Sequence, residues 1–150
     1  MATVEVTFTP LPAHVRTARL VATAVARRSG VDESLLDEVR LAVGEACSRA
    51  VEAHRRHCPA EPVRIEMTDS GERFVVTVSD HAPTSAGRPA AAATATEGAG
   101  HDGIGYDGGS AIPAGFGLAV ISGLADDVRV LSTSSGVSVR MSWPSAVATS

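Results

Sequence analysis

Three short stretches carry the side chains that could do chemistry. Leu41-Ala-Val-Gly-Glu45-Ala-Cys-Ser-Arg49-Ala50-Val51 places a carboxylate and a guanidinium four residues apart. On a helix that spacing is one turn. A Glu N-terminal to an Arg then makes a surface ion pair of about 0.2–0.5 kcal/mol. Val76-Thr-Val-Ser-Asp80-His-Ala82-Pro83 ends a β-prone run on an acid, a common turn residue. Gly115-Phe-Gly117-Leu-Ala-Val-Ile121 puts two glycines at the mouth of an apolar run. His81, His101, Asp102 and Asp107 are spaced too irregularly for a metal site. Ser48 has no His–Asp arrangement near it in the sequence to make it a nucleophile.

The composition removes other chemistry. All 13 Lys+Arg residues are Arg, and the chain has no Lys, Asn or Gln. There is no lysine for a P-loop or a Schiff base. No side-chain amide can hold a metal or read adenine bidentately. The formal net charge of -4 and the 3% aromatic content oppose nonspecific binding to nucleic acid or an anionic membrane. Cys47 and Cys58 fit neither a disulfide framework nor a zinc pattern. No apolar run approaches the ~20 residues of a membrane span, and the acidic, alternating N-terminus is unlike a signal peptide. These features lead us to expect a cytoplasmic protein.

The elements that must position these residues follow from periodicity. The 150 residues are the length of one domain. Residues 2–8 alternate and are β-branched, which predicts a strand. Leu11, Val15, Ala18, Ala22 and Val25 recur at steps of four and three, which predicts a helix over 12–29 closed by Gly30. Asp32 is an N-cap for a second helix reaching about His57, with Leu36, Val39, Val43, Ala46 and Ala50 on its buried stripe. Residues 62–69 and 72–79 alternate around Ser70-Gly71 and predict a hairpin. A short helix over 117–125 and two strands over 127–132 and 136–143 complete the chain. The order predicts an α+β two-layer sandwich, with a mixed, mostly antiparallel sheet and helices on one face. Between about 82 and 113 the composition is Ala, Gly, Thr and Pro, which suggests a flexible lid-like insertion.

In this order the three stretches resemble the histidine-kinase-like (GHKL) ATPase fold, in its anti-sigma-factor/serine-protein-kinase branch. That branch carries a Glu-Ala-x-x-Asn-Ala box on a helix, Asp-x-Gly after a strand, and a mobile lid leading to Gly-x-Gly-Leu. The resemblance covers nearly the whole chain. It implies that Glu45 is the general base and that Asp80 binds the adenine amine. It further implies that Gly115, Gly117 and Leu118 form the phosphate loop at a helix N-terminus, where backbone N–H groups and the dipole favour an anion. Arg49 and Ala82 complete the implied pocket at positions where the family has Asn and Gly. Arg49 has no lone pair for Mg²⁺, though it could contact phosphate directly. The Ala82 methyl narrows the adenine site. The lid carries Glu97, Asp102 and Asp107 and no Lys, which repels a triphosphate.

The resemblance implies a regulator that sequesters a sigma factor and is countered by a STAS-domain anti-anti-sigma factor. It implies a homodimer through the first strand and helix, with no direct nucleic acid and no membrane partner. ATP or ADP binding is expected to be weakened, with no metal residues of its own. The rival expectation is an active ATP-dependent serine-protein kinase phosphorylating a STAS partner. An unrelated α+β interaction module is a third.

Overall fold

The computed structural model describes residues 2–82 and 120–145. Its elements are β1 (Ala2–Phe8), α1 (Pro12–Arg28), a 3-10 turn (Glu33–Leu35), α2 (Leu36–His57), β2 (Val63–Asp69), β3 (Arg73–Ser79), β4 (Asp127–Thr133) and β5 (Gly136–Pro144). Residues 120–124 form a helical turn ahead of β4. The architecture is the expected α+β one. Five strands in the order β1-β2-β3-β5-β4 make one open sheet. Every pair among the described residues is antiparallel.

Local chemistry explains the boundaries. Pro12 starts α1, where its missing N–H is no loss. Gly30 ends it at φ 91°, with Gly30 N–H donating to Arg27 O at 3.2 Å and Val31 N–H to Ala26 O at 3.1 Å. That is a Schellman closure, and glycine adopts the left-handed turn without a Cβ clash. The Asp32 side chain accepts from Ser34 N–H, as an N-cap does. Here it caps a 3-10 turn that leads into α2 at Leu36.

One sheet face is apolar. Val63, Ile65, Met67, Phe74, Val76, Val78, Val139, Met141 and Trp143 alternate inward. Phe74 lies opposite Trp143 across the β3–β5 pair, with ring centroids 6.3 Å apart. α2 packs on β2, β3 and β5, and α1 packs on α2. Ala18, Ala22 and Ala26 of α1 and Ala42, Ala46 and Ala50 of α2 are buried in the same core cluster.

The α1 stripe differs from the periodicity at both ends. Leu11 is 47% exposed because it is the extended N-cap residue and does not follow the helical stripe. Ala26 is fully buried, and Val25 packs only partly against the core. On α2 the stripe continues one turn beyond Ala50, to His54. The expected insertion lies outside the described residues, Ala82 apart.

Candidate functional site

Asp80 follows the last residue of β3 and stays on the sheet ladder, its N–H donating to Val137 O at 2.9 Å. Its side chain is 1% exposed. Oδ2 accepts from Arg49 Nη1 at 2.9 Å. Oδ1 accepts from the backbone N–H of Ala82 at 3.1 Å and of Val137 at 3.2 Å. Three donors thus converge on one buried carboxylate. Arg49 reaches it from α2 with its side chain 11% exposed, and its Nε is buried without a hydrogen-bond partner. Glu45 and Arg49 form no ion pair, so the local i,i+4 attraction is superseded by a tertiary one.

The β4–β5 hairpin presses on this point. Gly136 has φ 147°, and a Cβ there would sit 2.1 Å from Asp80 O. Only glycine permits that approach. Ala82 is 4% exposed, and its N–H is one of the two backbone donors to Asp80 Oδ1.

Glu45 is half-buried one turn earlier on α2. Burial holds its carboxyl above the usual Glu range, partly offset by the positive charge of Arg19. A raised folded value means the folded state binds this proton more tightly than the unfolded chain. Stability relative to Glu45→Gln is therefore expected to rise as pH falls from neutral through the raised value toward the usual Glu range. Above that window the charged form opposes folding. Urea denaturation of both proteins across this range measures the gap, and a gap that moves the other way contradicts the burial cause.

Arg19 lies over Gly44, where a Cβ would come within 2.9 Å of its Cδ and Nε. With Arg16, Leu20, Arg40 and Leu41 it lines a groove of about 290 Å³ between the helices. Leu20 is 62% and Leu41 48% exposed there.

His54 is fully buried. Its Nε2 accepts from His81 N–H at 2.8 Å, which places the ring proton on Nδ1, donated to Glu61 O at 2.8 Å. The ring ties α2 to the segment after α2 and to the residue after Asp80. Burial pushes the Cys47 thiol up to about 12. Cys58 is raised too, by burial and by the carboxylates of Glu61 and Asp80. Both stay protonated at neutral pH and are poor nucleophiles. Among the described residues no three His, Cys, Asp or Glu are grouped as metal ligands.

Residues 8–143 match the histidine kinase-like ATPase domain. The chain belongs to that family. No curated protein matches the sequence. Among solved structures, the chain is similar to the crystal structure of the RsbU and RsbW domains of Rv1364c from Mycobacterium tuberculosis. That likeness has a TM-score of 0.63 at 16% identity, over 99% of this chain and 35% of that one. The chain therefore spans about a third of that solved chain, and the likeness is one of fold.

Against the ATPase family's pocket, the structure brings Arg49, Asp80 and Ala82 together and places Glu45 one turn away on α2. Gly115, Gly117 and Leu118 lie outside the described residues. Three donors already fill Oδ1 and half of Oδ2 on Asp80, so an adenine amine would share Oδ2 with Arg49. Arg49 offers Mg²⁺ only N–H donors. Two features escaped the sequence reading. His54 was signalled by the four-residue step from Ala50. The groove had no linear signal, because its residues come from two helices. No helix among the described residues is long and apolar enough to cross a membrane.

Proposed function

We propose that this ATPase-family domain is an anti-sigma-factor-like regulator that works by binding rather than by Mg²⁺-dependent phosphoryl transfer. The Arg49–Asp80 ion pair carries this reading. It occupies the carboxylate that would read adenine and puts a cation where the family holds a metal. The partner classes come from the family resemblance: a sigma factor, and a STAS-domain antagonist competing for the same protein. The RsbW domain in the similar structure agrees with that branch. The same resemblance implies a homodimer and a cytoplasmic location.

The groove supports a binding role on the helical layer. Three arginines flank two exposed leucines, which fits a partner helix with acidic residues around apolar anchors. Arg19→Glu with Arg40→Glu is expected to weaken capture of the sigma partner by about tenfold or more, mostly through slower association. Surface plasmon resonance against the sigma factor recovered from native lysate measures it. An unchanged affinity places the interface elsewhere.

Calorimetric titration tests the nucleotide side. Wild type is expected to give no heat with ATP or ADP, with or without Mg²⁺. Arg49→Asn frees Asp80 Oδ2 and is expected to gain at least about tenfold in nucleotide affinity. Tight Mg²⁺-dependent binding by wild type would overturn the reading.

One observation favours the rival, an active serine-protein kinase. Glu45 is half-buried with a raised proton affinity, as suits a general base. Labelled phosphate appearing on a STAS partner with Mg²⁺-ATP, and lost in Glu45→Gln, decides for the kinase.

A further inference from the structure

The sheet face away from the helices carries an unusual row of charges. Glu5, Glu66, Thr77, Arg140 and Arg129 stand side by side across β1, β2, β3, β5 and β4. The acids are direct cross-strand partners, and so are the arginines. Like charges directly opposite each other destabilise a sheet. Each pair is only half neutralised within the chain. Arg64 serves both acids, at 2.7 Å from Glu5 and 3.4 Å from Glu66. Asp127 serves Arg129 at 3.4 Å, and Arg140 is exposed with no partner among the described residues. One half of the row is thus net acidic and the other net basic, about an uncharged centre.

We infer that this face is the interface of a homodimer, with the two-fold axis running along β3. Rotation about that axis lays β2 over the partner's β5 and β1 over its β4. Glu66 then meets Arg140 of the partner subunit, Glu5 meets the partner's Arg129, and Thr77 meets its own copy. A residue on the axis faces itself, so a charge there would repel. Val75, Thr77 and Ser79 on β3 are uncharged and half-buried. Arg73 at the strand's start is neutralised by Asp126 at 2.8 Å. Aligned sheets stack about 10 Å apart, within reach of facing Glu and Arg side chains.

Strand spacing and rise give five seven-residue strands a face of roughly 24 by 24 Å. Two such faces bury on the order of 1,100 Å², at the low end of specific interfaces. The dimer is therefore expected to be micromolar and salt-sensitive. The inference rests on the homodimer part of the proposed function and names a different surface from the first strand and helix.

Charge reversal tests it on the full chain by sedimentation equilibrium, with circular dichroism confirming the fold. Glu66→Arg and Arg140→Glu are each expected to weaken self-association at least tenfold. Mixing the two single variants restores both contacts in a heterodimer, and the double variant E66R/R140E self-associates like wild type. A dimer that ignores both single reversals overturns this surface and leaves the homodimer standing. A wild type that stays monomeric to hundreds of micromolar overturns both.

Discussion

Arg49→Ala is expected to lower the unfolding free energy by about 3–5 kcal/mol, the range for removing one partner of a buried ion pair. The Asp80 side chain is 1% exposed and keeps only its two backbone donors after the change. Its Oδ2 is then left as an unmatched acceptor away from water. For a domain of this length the loss corresponds to a fall in Tm of about 6–20 °C. Arg49→Lys is expected to recover part of it, since the ammonium restores charge but not the guanidinium's reach and planarity. Thermal denaturation of the three proteins makes the comparison. A double-mutant cycle with Asp80→Asn then isolates the coupling from the loss of packing. If Arg49→Ala falls within about 1 kcal/mol of wild type, water already reaches Asp80 and the site is open.

Gly136→Ala should be nearly as damaging, at about 3 kcal/mol or more. Two terms add. A φ of 147° is strained for any residue with a Cβ, at about 1–3 kcal/mol. The new methyl would also overlap Asp80 O at 2.1 Å and approach His81 Cα at 3.1 Å, which are backbone atoms that yield only by moving the strand end. Overpacking of that kind adds about 1–3 kcal/mol. The displacement would pull Asp80 from Arg49, so stability and the ion pair fail together. Gly123→Ala is the matched control. Nothing lies within 4 Å of a Cβ there, and the residue sits in the helical turn before β4. It is expected to be neutral or stabilising by up to about 1 kcal/mol. Urea denaturation of both variants measures the contrast, and equal effects would mean that Gly136 is not pinned against the β3 end.

Much of the fold was legible because it is periodic. Strict alternation over 63–69 and 73–79 sets the inward face of the hairpin, since a one-residue slip would expose Ile65, Val76 and their neighbours. The Gly30 and Asp32 signals ended one helix and opened the approach to the next. The site was legible only as a set of residues. The three stretches name Glu45, Arg49, Asp80 and Ala82 but leave their pairing open. By sequence, Arg49 had a local suitor in Glu45, worth a few tenths of a kcal/mol at the surface.

The sequence by itself determined which chemistry was absent, where the strands and helices run, and that Arg49 stands where the family resemblance implies an asparagine. Tertiary structure decided what that arginine does. Burial of Ala42, Val43, Ala46 and Ala50 fixes the rotation of α2 against the rest of the core, and that rotation aims Arg49 at the end of β3. The β5 backbone and Ala82 N–H then fix the Asp80 carboxylate to receive it. A contact across 31 residues of chain has no periodicity to announce it. Its strength comes from exclusion of water, which exists only once the core has closed.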